Sequence, residues 1–260
     1  MRLDIALVQN KLIDTRTKAK AAIQQGLVFY KGQPVTKPSL DIQDISAITI
    51  QGQIMPYVSR GGLKLEKALQ VFQINLKNQI VLDIGSSTGG FTDCALQHGA
   101  KRVIAVDVGK EQMVESLRLN PAITLYEQTD FRTIEADKIS SCTVAVSDVS
   151  FISITKMIPK LKEMPNLTDL ICLIKPQFEC GKEMADKYHG VIKNKKIHES
   201  ILNQIVKTFQ ENNFYLQNLT FSPIHGGSGN IEYLAHFTKN PTNFIPNFSQ
   251  IITEAFRSAL

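Results

Sequence analysis

From residue 61 onward the chain alternates between two patterns. Short apolar segments at 80–84, 103–106, 123–126, 143–147, 170–174, 214–221 and 231–237 read as strands. A helical run at 63–72 precedes them, with Leu65, Leu69 and Phe72 on one side, and further helical spacing at 91–97, 111–118, 153–162 and 197–211 separates them. Parallel neighbours need a crossover of a dozen or more residues, usually a helix, so the alternation restricts this segment to an α/β, doubly wound, mostly parallel sheet. The last two strands are joined by "PIHGGSGN", which is too short for a crossover helix, so they are expected to pair antiparallel.

The first 50 residues follow a different plan. "RLDIALVQN" carries Leu3, Leu7 and Val8 at helical spacing. Asp14 or Thr15 can cap a second helix, "TRTKAKAAIQQ", which stops at Gly26 and turns Ala19, Ala22 and Ile23 inward. "LVFY", "KG" and "QPV" read as a hairpin, and "ISAITI" as a last strand. The expected organisation is a small α+β domain at 1–50, a linker at 51–59 and the large α/β domain at 60–260.

Charge separates the two parts. The net charge is +5, and the first 60 residues hold eight basic against four acidic residues. Arg2, Arg16, Lys18, Lys20, Lys31 and Arg60 are the cations offered to a partner, and nucleic acid is the partner such a small basic module favours. A solvated basic surface is the plainer alternative. A second basic stretch, "FECGKEMADKYHGVIKNKKIH" at 178–198, has five lysines against three acids; it reads as a loop whose Lys193, Lys195 and Lys196 can reach RNA phosphates.

Composition excludes several classes. No apolar run reaches the ~18 residues a membrane span needs. Asp4 interrupts the first apolar run and no small-residue cleavage site follows, so no signal peptide is expected. Cys94, Cys142, Cys172 and Cys180 form no C-x-x-C pair, and the five histidines show no metal spacing. A cytoplasmic protein with reduced thiols and no metal is the expectation.

"VLDIGSSTGGFTD" runs strand, loop, helix, with Asp83 at the strand end and Gly85, Gly89 and Gly90 in the turn. The spacing is G-x-x-x-G-G, so the dinucleotide fingerprint is not met. Asp107 ends the next strand, 22 residues after Gly85, where a carboxylate can accept both hydroxyls of an adenosine ribose. Asp130, after the third strand, can hold the adenine amino group. The set fits S-adenosyl-L-methionine, which has no pyrophosphate and needs no lysine in the loop. Seven strands ending in an antiparallel hairpin agree with a methyltransferase at the level of fold alone.

"ICLIKPQF" raises a separate question, because four apolar residues end on Lys175 and then on Pro176. Asp148 follows the fourth strand, Glu232 opens the seventh, and Lys64 lies on the helix entering the domain. A doubly wound sheet brings such strand ends to one edge. Two amines and two carboxylates beside a methyl donor suit attack by a ribose hydroxyl, which must lose its proton as it attacks. A lysine can take that proton only if it titrates well below the free value of ~10.4. Taken singly, Lys175 also reads as a lysine snorkelling from a strand end. The set carries the argument.

At these residues the sequence resembles a known family. Lys64, Asp148, Lys175 and Glu232 match the Lys-Asp-Lys-Glu tetrad of FtsJ-like RNA ribose 2′-O-methyltransferases. "YVSRGGLKL", "DIGSSTGGFTD", "DVSFISI", "LIKPQFE" and "GNIEYL" resemble the TlyA (hemolysin A-like) branch, and residues 1–50 its ribosomal-protein-S-four type RNA-binding domain. The resemblance implies a Rossmann-like seven-stranded S-adenosylmethionine-dependent domain acting on cytidine in ribosomal RNA, with ribosomal RNA or ribosomal subunits as partner. It assigns the base to Lys175 and positioning of the ribose to Lys64. It extends the cofactor set to Ser86, Ser87, Phe91, Val108 and Phe131. The linker "GQIMPY" departs from better-known members in lacking an aromatic, basic stretch.

Three other classes compete with this reading. Amino-group methylation uses a D/N-P-P-F/Y turn, whereas this chain has Asp148-Val149-Ser150-Phe151; cytosine C5 methylation uses a Pro-Cys pair, which is absent. A noncatalytic RNA-binding assembly factor would not need the intact acids and lysines. A cytolysin would need an amphipathic or spanning segment, and none is seen.

Overall fold

The computed structural model describes residues 1–13, 15–52 and 55–258. The chain divides into two units, Met1–Pro56 and Tyr57–Leu260.

In the first unit, helices α1 (Leu3–Gln9) and α2 (Arg16–Gln24) accompany a small antiparallel sheet. Its strands are β1 (Val28–Tyr30), β2 (Gln33–Pro34) and β3 (Ile48–Ile50), in the order β2-β1-β3. Thr15 caps α2, its hydroxyl accepting from the Lys18 N–H at 3.2 Å. Asp14, the other expected cap, lies outside the described residues, as do Gln53 and Ile54 of the expected linker. Leu3, Leu7, Ala19, Ala22, Ile23 and Val28 form the core, so the inward faces of both helices are those the spacing indicates. "ISAITI" is strand only in its second half. The Asp44 carboxylate accepts from the Ser46 N–H at 2.9 Å and winds Ile45–Ala47 into a 3-10 turn.

The second unit opens with α3 (Gly61–Phe72) and is built on β4 (Ile80–Ile84), β5 (Arg102–Val106), β6 (Ile123–Tyr126), β7 (Val144–Ser147), β8 (Asp169–Ile174), β9 (Tyr215–Phe221) and β10 (Tyr233–Thr238). The seven strands lie in the order β6-β5-β4-β7-β8-β10-β9. β6 to β8 run parallel, and β10 is antiparallel to both β8 and β9. Side chains alternate across the sheet. Leu170, Cys172 and Ile174 of β8 enter one core, while Ile171 and Leu173 enter the other, beneath α3 and α4 (Gly90–Gln97). Both faces are covered, which is why β8 reads as an unbroken apolar run.

Strand order positions the site. The chain direction across the sheet switches between β4 and β7, and ligands of open α/β sheets bind at such a point, outside the carboxyl ends. Four adjacent strands, β4, β7, β8 and β10, then place Gly85, Asp148, Lys175 and Glu232 along one edge. Because β10 runs the opposite way, its start lies beside the end of β8, with Tyr233 opposite Ile174.

Some local expectations change. The helix expected at 111–118 is only Glu115–Arg118, since Glu111 sits at φ +54° and Val114 is extended, at φ −61° and ψ 144°. The 153–162 stretch divides into a 3-10 turn, Ile154–Met157, and a helix, Ile158–Lys162. The 178–198 stretch is not a plain loop: it contains the helix Lys182–Lys187 and the start of Lys195–Glu211. A C-terminal helix, Phe248–Ser258, was not anticipated; it buries Ile252 and Ala255. Among the described residues no helix is long and apolar enough to cross a membrane.

Candidate active site

Lys64, Asp148, Lys175 and Glu232 form one connected cluster. The Lys64 amine donates to Glu232 Oε2 at 2.7 Å and to Asp148 Oδ2 at 3.2 Å. The Lys175 amine lies 2.6 Å from Asp148 Oδ1 and donates to Ser150 Oγ at 2.8 Å. Both lysines and Glu232 are buried, at 7%, 6% and 2% exposure. A strand that looks wholly buried thus ends on a lysine because a carboxylate from the neighbouring strand meets its amine there.

Lys64 reaches this edge from α3 through a close helix contact. A Cβ on Gly90, at the start of α4, would lie 2.3 Å from Ser59 Oγ and 3.0 Å from the Gly62 nitrogen. Only glycine lets the two helix starts approach so closely. Tyr57, buried at the head of this unit, donates its hydroxyl to Glu66 Oε1 at 2.8 Å and steadies α3 further.

The charges around the two amines differ. Burial works against the Lys64 ammonium, but the Asp148 and Glu232 carboxylates outweigh it and raise its pKa above the ordinary lysine value. Burial likewise opposes the Asp148 carboxylate, and Lys175 and Lys64 outweigh it, so its pKa is lowered. Lys64 is therefore held charged between two carboxylates. Lys175 has one carboxylate and a neutral hydroxyl beside it.

Two adjoining clefts open on the cluster. One, of about 350 Å³, is polar and is lined by Arg60, Lys64, Gly85, Ser86, Ser87, Gly90, Phe91, Asp148, Ser150 and Lys175. The other, of about 410 Å³, is more apolar and is lined by Gly85, Ser87, Asp107, Val108, Asp130, Phe131, Asp148, Ser150 and Met157. Gly85 adopts φ +81°, a conformation that side-chain-bearing residues rarely take, and a Cβ there would press on the Asp148 carbonyl at 3.2 Å. Asp107 is fixed by two backbone donors, Ser87 N–H and Gly109 N–H, each at 2.7 Å. Its oxygens keep lone pairs for a diol. Asp130 is gripped by Arg132, with both Nε contacts at 3.0 Å, so an adenine amino group there would share its carboxylate with that guanidinium.

These residues fit S-adenosylmethionine. Ser86 is buried, lines the polar cleft, and its hydroxyl lacks a hydrogen-bond partner among the described residues. That orphaned group, the uncharged loop and the apolar second cleft match an amino-acid end and an adenosine end. Asp83 and Gly89 line neither cleft. Asp83 lies behind the loop, accepts from Thr92 Oγ1 at 2.6 Å, and is pushed up to about 7 by burial. Among the described residues no group of three or more His, Cys, Asp and Glu side chains is placed to hold a metal ion.

Sequence reasoning passed over three lining residues. In the sequence Ser150 and Phe151 mark only a departure from another motif, and His225 only a loop. Phe151 sits at φ +63° and is 90% exposed, with its ring 4.9 Å from that of Phe178. An exposed phenylalanine next to a candidate acid was the available signal.

The cations proposed for a partner are placed variously. In the first unit, Arg2 and Arg16 both bind the fully buried Asp4, through Nε contacts of 3.0 Å and 2.9 Å, and each side chain stays about half exposed. Their pull, working against burial, holds Asp4 down at about 2. Lys20 is exposed on α2 and Lys31 on the hairpin turn, where its amine lies 5.4 Å from the Tyr30 ring. In the second unit, Arg60 is exposed and borders the polar cleft. Lys195 and Lys196 open the helix Lys195–Glu211, with no acid in its first turn, and Lys193 is exposed just before it. Cations gathered at the positive end of a helix favour an anionic partner.

Comparison with known proteins places these features. Residues 57–239 match the FtsJ-like methyltransferase family, and residues 1–44 match the S4 domain. Hemolysin A of Brachyspira hyodysenteriae is 45% identical over 240 residues, covering 91% of this chain and 99% of that protein. The 16S/23S rRNA (cytidine-2′-O)-methyltransferase TlyA of Mycobacterium tuberculosis is 35% identical over 235 residues, covering 89% of this chain and 87% of that protein. The solved structure of a candidate hemolysin from Streptococcus thermophilus superposes with a TM-score of 0.75 at 39% identity, covering 99% of this chain and 96% of that one.

Proposed function

The chain belongs to the FtsJ-like methyltransferase family, with an S4 domain at its N-terminus, and from that premise we propose that it methylates the ribose 2′-hydroxyl of cytidine in ribosomal RNA. The observation that carries this reading is the Lys64–Asp148–Lys175–Glu232 cluster opening on the same cleft as the Gly85–Ser86 turn. The hemolysin name is a label carried by relatives of the same family.

S-adenosylmethionine, when bound, supplies an electrophilic methyl group on a sulfonium. Gly85, Ser86 and Ser87 would hold its amino-acid end, and Asp107, Val108, Asp130 and Phe131 its adenosine. Lys64, fixed as an ammonium, orients the attacking ribose. Asp148 holds both amines in register, and Glu232 keeps Lys64 charged. Lys175 takes the hydroxyl proton as attack proceeds, a contribution of roughly 10²–10⁴ in rate. The exposed Phe151 ring beside Phe178 offers a stacking face to a nucleobase.

RNA is the partner class that the S4 domain and the basic first unit support. Residues 1–50 act as the RNA-binding domain, 51–59 as the linker and 60–260 as the catalytic domain of a cytoplasmic enzyme. Arg2, Arg16, Lys18, Lys20 and Lys31 of the first unit, and Arg60, Lys193, Lys195 and Lys196 of the second, contact phosphates. The substrate is ribosomal RNA, free or in a subunit.

The test is to map ribose methylation across ribosomal RNA in cells with and without the protein. Loss of methylation at one or a few cytidines is expected, with recovery by the wild-type chain and none by Lys175→Ala. Unchanged methylation at every site in the deletion strain would overturn the reading.

A further inference from the structure

The two amines of the cluster are held by different kinds of partner. Lys64 lies between two carboxylates, Asp148 and Glu232. Lys175 lies between one carboxylate oxygen, Asp148 Oδ1 at 2.6 Å, and one neutral hydroxyl, Ser150 Oγ at 2.8 Å. Ser150 lines both clefts, so it stands where the cofactor end and the open end meet. The next residue, Phe151, turns the chain away at φ +63°, and Ser150 itself is exposed apart from this contact.

We propose that Ser150 is a positioning residue for Lys175, a role that rests on the reading of Lys175 as proton acceptor. A neutral lysine amine has two N–H bonds and one lone pair. Ser150 Oγ accepts one of those two hydrogens, and Asp148 Oδ1 lies 2.6 Å away as an ion-pair partner that the amine does not meet at hydrogen-bonding geometry. With one hydrogen held by Ser150 and the Asp148 carboxylate beside the amine, rotation about the Cε–Nζ bond is restricted, and so are the directions open to the lone pair. Without Ser150, the amine keeps one anchor and spins about it, and the lone pair points toward the ribose hydroxyl only part of the time.

The step served is balanced. The ribose O–H bond breaks as an N–H bond forms on Nζ, and the oxygen keeps the electron pair and bonds the methyl carbon. The carbon–sulfur pair stays on sulfur. One ammonium appears where one sulfonium disappears, so the total charge of the site is unchanged. A base whose lone pair is fixed loses little orientational freedom in that transition state, which is where a hydroxyl without charge can influence rate.

The experiment compares wild type, Ser150→Ala, Ser150→Thr and Lys175→Ala in the full chain, on ribosomal subunits from cells lacking the protein. Ser150→Ala is expected to lower kcat by about 10- to 100-fold, within the range a positioned proton acceptor contributes. KM for the subunits, and the calorimetric Kd for S-adenosylmethionine, should stay within about threefold of wild type. Ser150→Thr keeps the acceptor, and the exposed position has room for its methyl, so kcat should return to near wild type. Nitrogen NMR of the cofactor-free protein should show the Lys175 amine less ordered in Ser150→Ala than in wild type. A wild-type kcat in Ser150→Ala, with Lys175→Ala inactive, overturns the positioning role and leaves the base intact. A loss that Ser150→Thr does not rescue, accompanied by a lower unfolding midpoint, overturns it in favour of a structural role. Wild-type turnover in Lys175→Ala removes the underlying assignment and the proposal with it.

Discussion

The Lys64 amine donates to Glu232 Oε2 at 2.7 Å across 168 residues of sequence, and this contact ties α3 to the first residues of β10. Both side chains are almost wholly buried, so each depends on the other to offset the cost of leaving water. Glu232→Ala leaves the ammonium with Asp148 alone. A loss of about 3 kcal/mol is expected, the size seen when one partner of a buried pair is removed. Urea unfolding measures it, and an unchanged midpoint would show that water already supplies what Glu232 does.

Cofactor affinity is expected to turn on Asp107 rather than on the lysines. Its carboxylate, on the lining of the apolar cleft, is set by the Ser87 and Gly109 N–H groups. Asp107→Ala should weaken S-adenosylmethionine binding by roughly 10- to 100-fold, the equivalent of ~1.5–3 kcal/mol for hydrogen bonds to a charged acceptor. Lys175→Ala should leave it nearly unchanged. Titration calorimetry separates the two; equal affinity losses would mean that the clefts do not divide cofactor and target as assigned.

Asp83 makes stability depend on pH in an unusual direction. Its folded-state pKa, about 7, lies above the ordinary 3.8, chiefly through burial. Between these values the folded chain holds a proton that the unfolded chain has released, so this group's contribution to stability falls as pH rises from about 4 to about 7, and is level outside that window. Asp83→Asn cannot ionise. The stability difference between wild type and Asp83→Asn should therefore shift against wild type across that window. Thermal unfolding of both proteins at pH 4, 5.5, 7 and 8.5 reads this directly, and parallel curves would mean that Asp83 titrates as an ordinary carboxyl.

Asp4 offers a test in which charge and geometry predict opposite signs. Removing an acid from a basic surface raises RNA affinity if charge alone acts. Asp4 also aligns the Arg2 and Arg16 guanidiniums side by side. If those two grip phosphates together, Asp4→Asn should weaken binding to ribosomal RNA several-fold at a fixed salt concentration and lower the slope of affinity against salt. Tighter binding by Asp4→Asn would reject the aligned pair.

The large architecture was legible before any coordinates. The β4, β6 and β8 segments announced themselves as apolar runs between breakers, and the helices of the first unit as spaced leucines and alanines, because burial on one or both faces leaves a local periodic trace. The 111–118 helix shortened for a local reason, the left-handed backbone at Glu111 and the extended backbone at Val114, that periodicity does not register. Asp148 and Lys175 stand out as polar residues ending buried strands, while Lys64 and Glu232, common as single residues on a helix and at a strand start, gain meaning only as members of the set.

The sequence by itself determined an α/β domain with a glycine turn, acids at strand ends and a basic module ahead of it. Tertiary structure decided which acid meets which amine, that Asp4 engages Arg2 and Arg16, that Asp83 lies behind the turn, and that Ser150 meets Lys175. These contacts depend on strand order and on how closely α3 approaches α4. Both are set by packing between segments remote in the chain, and no window of local sequence carries that information.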